Sequence, residues 1–428
     1  MKLITRGIAI CLLLFMLVGC RDHHLSGFPS GSINSSESAL LPTEFTYEDG
    51  SETVPNQFRY ALVEMDNYVY YDDGTSLVRL NTSTGERSYL CADPLCSHRS
   101  GCEYQRSYMR SFYAEDGKLF FWRKYDSGEI VLVMYDTKSA KQSVLCPLDG
   151  NGTQVPVFTY HSPYIYYYVV VSEETDEYQV GDVLMHQVDT RSMEDVIVCT
   201  FAGGKYGYCA GAYQDSLIIM TSQTIQLYAE GHPETVLIDS DDIHGTSIYS
   251  NSYCLQENHL RFFSTDRSVS DAPKTYFWEY DLEQDLLKKV ASIDGEITSS
   301  SYCYTQNAFY YRIKETYSLG TFIAENNANS GEVELSHPGF YKLNYGTGSI
   351  ESVLFELPDE YKTCNLANEF LVVGNYIYVS YNHFGPVKAD GVYYEKDFSQ
   401  SLSGLMRIDV RDGSLVYVGG KCIYRLLN

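Results

Sequence analysis

Tyr68-Val69-Tyr70-Tyr71-Asp72-Asp73-Gly74, followed by Leu77-Val78-Arg79-Leu80-Asn81-Thr82-Ser83-Thr84-Gly85, carries the pattern on which the fold turns. Two short runs rich in Tyr, Val and Leu are separated by an acid-glycine turn. Runs of this composition, bounded by turn residues, predict β-strands. The second run ends in an apolar residue, then Asn81, three more residues and Gly85. Asn or Asp suits that turn start because its side chain bonds the backbone two residues on, and Gly supplies a positive φ where one is needed.

The same signature recurs down the chain. It is found at Tyr135-Asp136 to Ala140, Val188-Asp189 to Met193, Tyr280-Asp281 to Asp285, Leu343-Asn344 to Gly348 and Ile408-Asp409 to Gly413. Successive Asp/Asn positions are 55, 53, 92, 63 and 65 residues apart, and the long gap holds one further, shortened hairpin from Gln226-Leu227-Tyr228 to Thr235-Val236-Leu237. Seven units result, about 55 residues each from (409 − 81)/6. Two more strands precede each hairpin, as at Phe58 to Val63 with Tyr68 to Tyr71, or Ser301 to Thr305 with Phe309 to Arg312. Four strands per unit at this period predict the blades of an all-β, seven-bladed β-propeller, whose closure removes exposed sheet edges. The rival arrangement is two packed β-sandwiches. Cys422 to Leu427 could add a strand toward an eighth blade, and no split blade is evident to seal the ring.

Blade one resembles the YWTD-type repeat of low-density-lipoprotein-receptor-like propellers. Over about residues 58 to 420 the chain resembles a group of Gram-positive lipoprotein propellers that share a C-x-D-P-x-C-x-H loop followed by another Cys. That resemblance implies a fold and a location and no activity. The sequence departs from the group's pattern at Glu103, where a Pro is expected after the last Cys.

The start of the chain reads as an export signal. Lys2 and Arg6 precede an apolar run from Gly7 to Val18, and Leu17-Val18-Gly19-Cys20 resembles the lipobox after which Cys20 becomes lipidated. The run is about twelve residues, short of the roughly twenty that a spanning helix needs. Residues 1–19 are thus expected to be a lipoprotein signal peptide, residues 20–57 a lipidated Cys with a flexible Ser-, Gly- and Pro-containing tether, and residues 58–428 the propeller. The expected location is the extracytoplasmic face of the cell membrane, held by acyl chains on Cys20.

The formal charge is −25, and losing Lys2 and Arg6 with the signal makes it −27. Such a chain lacks the basic surface that nucleic acid demands. Tyr is unusually frequent, 40 against 19 Phe and 2 Trp, and most of it is expected on half-buried strands.

The repeat frame sorts twelve cysteines. Cys11 leaves with the signal. Cys91, Cys146 and Cys199 end the outer strands of blades one to three, and Cys209, Cys254 and Cys303 fall in the inner strands of blades four to six. Equivalent positions in different blades are too far apart for disulfide geometry, so these six are expected to be small buried hydrophobes. Cys364 and Cys422 have no assignment.

Between blades one and two, Cys91, Cys96, His98 and Cys102 lie within twelve residues that Pro94 and Gly101 bend. They allow a closed Cys₃His zinc site, a Cys96–Cys102 disulfide or unbridged thiols. No cofactor is otherwise expected.

No nucleophile elbow, phosphate loop, H-E-x-x-H or dinucleotide fingerprint occurs in the sequence. Acidic groups such as Asp239-Ser240-Asp241-Asp242 lack calcium-loop spacing and read as solvated turns. Two long excursions stand out, Glu315 to His337 in blade six and His383 to Ser403 in blade seven. Their aromatics Tyr317, Phe322, Phe384, Tyr393, Tyr394 and Phe398 are candidates for a ligand rim, since long loops on one rim commonly hold ligands. Two functional classes fit this pattern. The first is a membrane-anchored binding module for an envelope protein, peptide or glycan. The second is a polysaccharide-active enzyme with carboxylates at the channel mouth, because a fold alone does not dictate a function.

Overall fold

A computed structural model describes residues 62–72, 76–91, 93, 95–96, 102, 104, 110–125, 127–147, 158–171, 174–175, 177–202, 207–229, 234–269, 273–313, 339–353, 355–356, 364–383, 387–390, 393–396 and 402–418. Seven four-stranded antiparallel sheets follow one another along the chain, so the fold is a seven-bladed β-propeller and not a pair of sandwiches. Blade one comprises Leu62–Met65, Tyr68–Asp72, Leu77–Asn81 and Arg87–Tyr89. Blade seven comprises Cys364–Val373, Tyr376–His383, Leu402–Asp409 and Leu415–Val418. The segment Cys422 to Leu427 and the tether before Leu62 lie outside the described residues.

Burial within a blade follows strand position. In blade two, Lys118–Lys124 and Ile130–Asp136 are almost continuously buried, whereas the fourth strand, Lys141–Pro147, is largely exposed. Middle strands are sandwiched between neighbouring sheets, so both faces become apolar; the outermost strand meets solvent and alternates. The tyrosines follow the same rule, and Tyr70, Tyr71, Tyr166, Tyr167, Tyr311 and Tyr378 are all fully buried on second strands.

The turn signature performs as its chemistry requires. Asn81 Oδ1 accepts from the Ser83 and Thr84 N–H groups at 2.9 Å each, and Asp281 Oδ1 accepts from Glu283 and Gln284 N–H at the same distances. The closing residues Gly85, Ala140, Met193, Asp285, Gly348 and Gly413 all have positive φ, between 52° and 73°. The residue after each Asp or Asn then bonds the turn between the first two strands, as Thr82 N–H does to Asn67 O and Val410 N–H to Asn375 O. Six of the seven blades are therefore locked from within. Replacing Asp281 by Ala should cost about 1 kcal/mol in urea unfolding, and replacing it by Asn, the residue of blades one and six, under about 0.5 kcal/mol. Equal losses in both variants would contradict this account.

The acids of Asp239-Ser240-Asp241-Asp242 prove to be structural. They start a 3₁₀ turn at Ser240–Ile243, where Asp239 Oδ1 accepts from Asp241 N–H and Asp242 Oδ2 from Asp239 N–H.

Among the described residues no strand is exchanged between the first and last blades: the four strands of blade seven come from the C-terminal part and those of blade one from residues 62–89. Their first strands meet, and Leu62 N–H donates to the buried Glu369 Oε1 at 3.4 Å, across 307 residues of sequence. One apolar cluster joins Leu62, Val69 and Val78 of blade one to Tyr310 and Phe340 of blade six and to Phe370, Val372 and Ile377 of blade seven.

Candidate functional site

The two ends of the ring differ sharply. Connections between first and second strands are two or three residues long, and those between third and fourth strands are four to six. Both sets emerge at one end, because alternate strands run antiparallel. Connections between second and third strands emerge at the other end with the passages between blades. The former measure 4, 5, 12, 3, 7, 26 and 18 residues in blades one to seven, and the latter 20, 11, 6, 7, 2 and 10. The longer connections thus begin and finish at one end of the ring.

Both long excursions join second to third strands, in adjacent blades, and so begin and finish at this end. In blade seven the excursion contains a two-stranded hairpin, Val387–Asp390 with Tyr393–Lys396, in which Asp390 pairs with Tyr393 and Ala389 with Tyr394. Tyr317, Phe322, Phe384 and Phe398 lie outside the described residues.

A charged and aromatic group at the same end was not legible in the sequence. Arg267, in the second-to-third connection of blade five, pairs with Glu296, which lies in the passage into blade six. The guanidinium sits over the Tyr249 ring at 5.9 Å, and the Tyr249 hydroxyl donates to Glu296 Oε1 at 3.5 Å. The Arg267 side chain is 50% exposed and Glu296 is 14% exposed, so the cation faces solvent while its partner is largely covered. These residues stand 18, 29 and 47 positions apart, and only the blade frame brings them together.

The cysteine-rich passage between blades one and two also belongs to this end. Its two flanks are clamped to one place on the third strand of blade one. Leu90 N–H donates to Leu77 O at 3.1 Å, and Leu77 N–H donates to Tyr104 O at 3.2 Å. The Ser76 hydroxyl adds a bond to Tyr104 O at 2.9 Å, and the Tyr104 ring meets Tyr135 of blade two edge-on at 5.9 Å. Inside the passage Asp93 Oδ1 accepts from Leu95 N–H, and Cys96 N–H donates to Asp93 O.

The clamp turns three sulfurs inward. Cys91, Cys96 and Cys102 bring their Sγ atoms within 4.8 Å of one another, with no disulfide joining them. Cys102 is buried, and Cys91 and Cys96 are half-buried against the core shared by blades one and two. Burial pushes the Cys102 thiol up to about 12, opposed in part by a backbone hydrogen bond at Tyr104 and reinforced by the other two thiols. His98 lies outside the described residues. Cys91 departs from its place in the repeat: the fourth strand of blade one stops at Tyr89, so the chain leaves the sheet before Cys91 and carries it into the cluster. Cys146, Cys199, Cys209, Cys254 and Cys303 are buried in strands as expected.

The class defined by this geometry is a seven-bladed propeller elaborated at one end. No family model and no curated protein sequence matches the chain. Among solved structures it is similar to an acylaminoacyl peptidase of Pyrococcus horikoshii, with 11% identity and a TM-score of 0.50 over 88% of this chain. The chain spans 54% of that peptidase's length. It is also similar to an oligogalacturonate lyase in complex with manganese, with 12% identity, 77% and 86% of the two chains covered and a TM-score of 0.47. A puromycin-hydrolyzing peptidase of Mycobacterium tuberculosis follows at 11%, with 90% and 57% covered and a TM-score of 0.45. At such identities the likeness to the Pyrococcus protein extends to the fold alone.

Proposed function

We propose that this chain is a membrane-anchored, extracytoplasmic binding module that holds an envelope protein, peptide or glycan at the end of the propeller bearing the long connections. The observation that carries this reading is the asymmetry of the two ends. Tight turns of two to six residues occupy one end, while connections of 26 and 18 residues in adjacent blades begin and finish at the other. Loops carried by a rigid scaffold are the usual place for recognition, since the sheets fix their bases and leave their side chains to choose the ligand. The exposed Arg267 adds a cation at the same end, suited to a carboxylate-bearing ligand.

Anchoring rests on the lipobox at Cys20, which would present the propeller on the outer membrane face. Replacing Cys20 by Ala should move the protein from the membrane fraction to the soluble one; unchanged membrane retention would overturn the anchor.

The binding reading is tested with detergent-solubilised protein on glycan and peptide arrays, beside a variant in which residues 315–337 and 383–403 are each replaced by a four-residue turn. We expect the strongest array signal to fall at least about tenfold in the variant, the scale of a 1.4 kcal/mol loss. Full retention of every signal would overturn the assignment of the face. Depolymerisation of an array polysaccharide by the intact protein would favour the enzymatic reading instead.

A further inference from the structure

We propose that Cys91, Cys96 and Cys102 form a thiolate site for a zinc ion in the passage between blade one and blade two. The three side chains come from a single inter-blade passage whose flanks are both fastened at Leu77, so their convergence is held by the sheet and not by the loop alone. A zinc ion bound to sulfur at about 2.3 Å in tetrahedral geometry sets neighbouring sulfurs about 3.8 Å apart. Sulfurs already within 4.8 Å of one another reach that spacing by side-chain rotation with small backbone adjustment.

A disulfide is the competing chemistry. A disulfide bond joins two sulfurs at about 2.0 Å and would leave the third thiol pressed against the bridge with no role. A soft, closed-shell cation instead uses all three at once. Binding replaces three S–H bonds by three S–Zn bonds and releases three protons to solvent, so it strengthens as pH rises through neutrality.

The position of the site gives it a consequence. Cys102, with Cys91 and Cys96 against it, packs with Val63, Met65, Tyr70 and Leu77 of blade one and with Phe112, Leu119 and Tyr135 of blade two. A metal there would brace the seam beneath the longest inter-blade passage, at the ligand-bearing end of the ring.

The test uses the whole protein, purified under reducing conditions, stripped with chelator and titrated with Co²⁺ and then Zn²⁺. We expect sulfur-to-cobalt charge-transfer absorption that saturates at one ion per chain and is displaced by zinc, together with a rise in Tm on zinc addition. The Cys96→Ser variant, changed at a half-buried position, should keep the far-ultraviolet dichroism of the parent and weaken zinc binding by roughly 100-fold or more. The Cys146→Ser variant should bind as the parent does. A charge-transfer band that survives in Cys96→Ser, or no band in the reduced parent, would sink the proposal. Mass spectrometry of protein taken from the envelope without reductant supplies the second arm: zinc retained with three alkylatable thiols supports the site, and a disulfide within the cluster with no zinc overturns it.

Discussion

Above pH 10 the protein is expected to lose stability steadily as the pH rises and to unfold cooperatively in alkali. The cause is its buried tyrosine. Burial holds the hydroxyl of Tyr70 up at about 12 and pushes Tyr166, Tyr253, Tyr304 and Tyr311 further above their ordinary value. A phenol in the unfolded chain ionises near pH 10. The folded state therefore binds more protons than the unfolded one above that pH. Stability is fully present below pH 10 and is lost as pH rises toward the folded-state values, with each buried tyrosine acting in the same direction. Cys146 and Cys199, pushed up to about 11 by burial, act in the same direction. Phenolate absorbance during an alkaline titration should lag behind that of the chain in denaturant and then rise cooperatively with loss of β dichroism. A smooth, non-cooperative titration of all 40 tyrosines centred near pH 10 would refute this account.

Replacing Phe370 by Ala should cost about 3–5 kcal/mol, a large share of the stability of an ordinary domain. Phe370 is fully buried in the first strand of blade seven, and its ring meets Phe340 of blade six edge-on, with centroids 4.8 Å apart. It belongs to the cluster that also holds Leu62, Val69 and Val78 of blade one. Among the described residues no strand is shared across that seam, and apolar packing and the Leu62–Glu369 hydrogen bond join its two sides. Removing the ring leaves a cavity where the first and last blades must hold together. Urea unfolding followed by the fluorescence of Trp122 and Trp278, the protein's 2 tryptophans, measures the loss. A change below about 1 kcal/mol would show that the seam relaxes around the gap, contrary to close packing.

The candidate site was only partly legible. The convergence of Cys96 and Cys102 could be anticipated because they lie six residues apart in a bent segment. Cys91 had two readings, a ligand beside Cys96 and Cys102 or a buried position of the outer strand, and the choice depends on that strand ending at Tyr89 and on both flanks meeting at Leu77. Arg267, Glu296 and Tyr249 carried no local signal at all, because each sits in a different connection or strand. The long excursions were visible as interruptions of the repeat, but their emergence at one end followed only once strand polarity was known.

What the amino-acid order determined by itself was the unit: four strands repeated seven times, with an Asp or Asn opening the last hairpin and a positive-φ residue closing it in six of the seven. Those are interactions between residues two to five positions apart, so their geometry is written locally. Tertiary structure alone decided how the ring closes, which end carries the long connections and which sulfurs meet. These depend on contacts between residues as distant as Leu62 and Glu369, where burial and packing select partners and no short pattern records the choice.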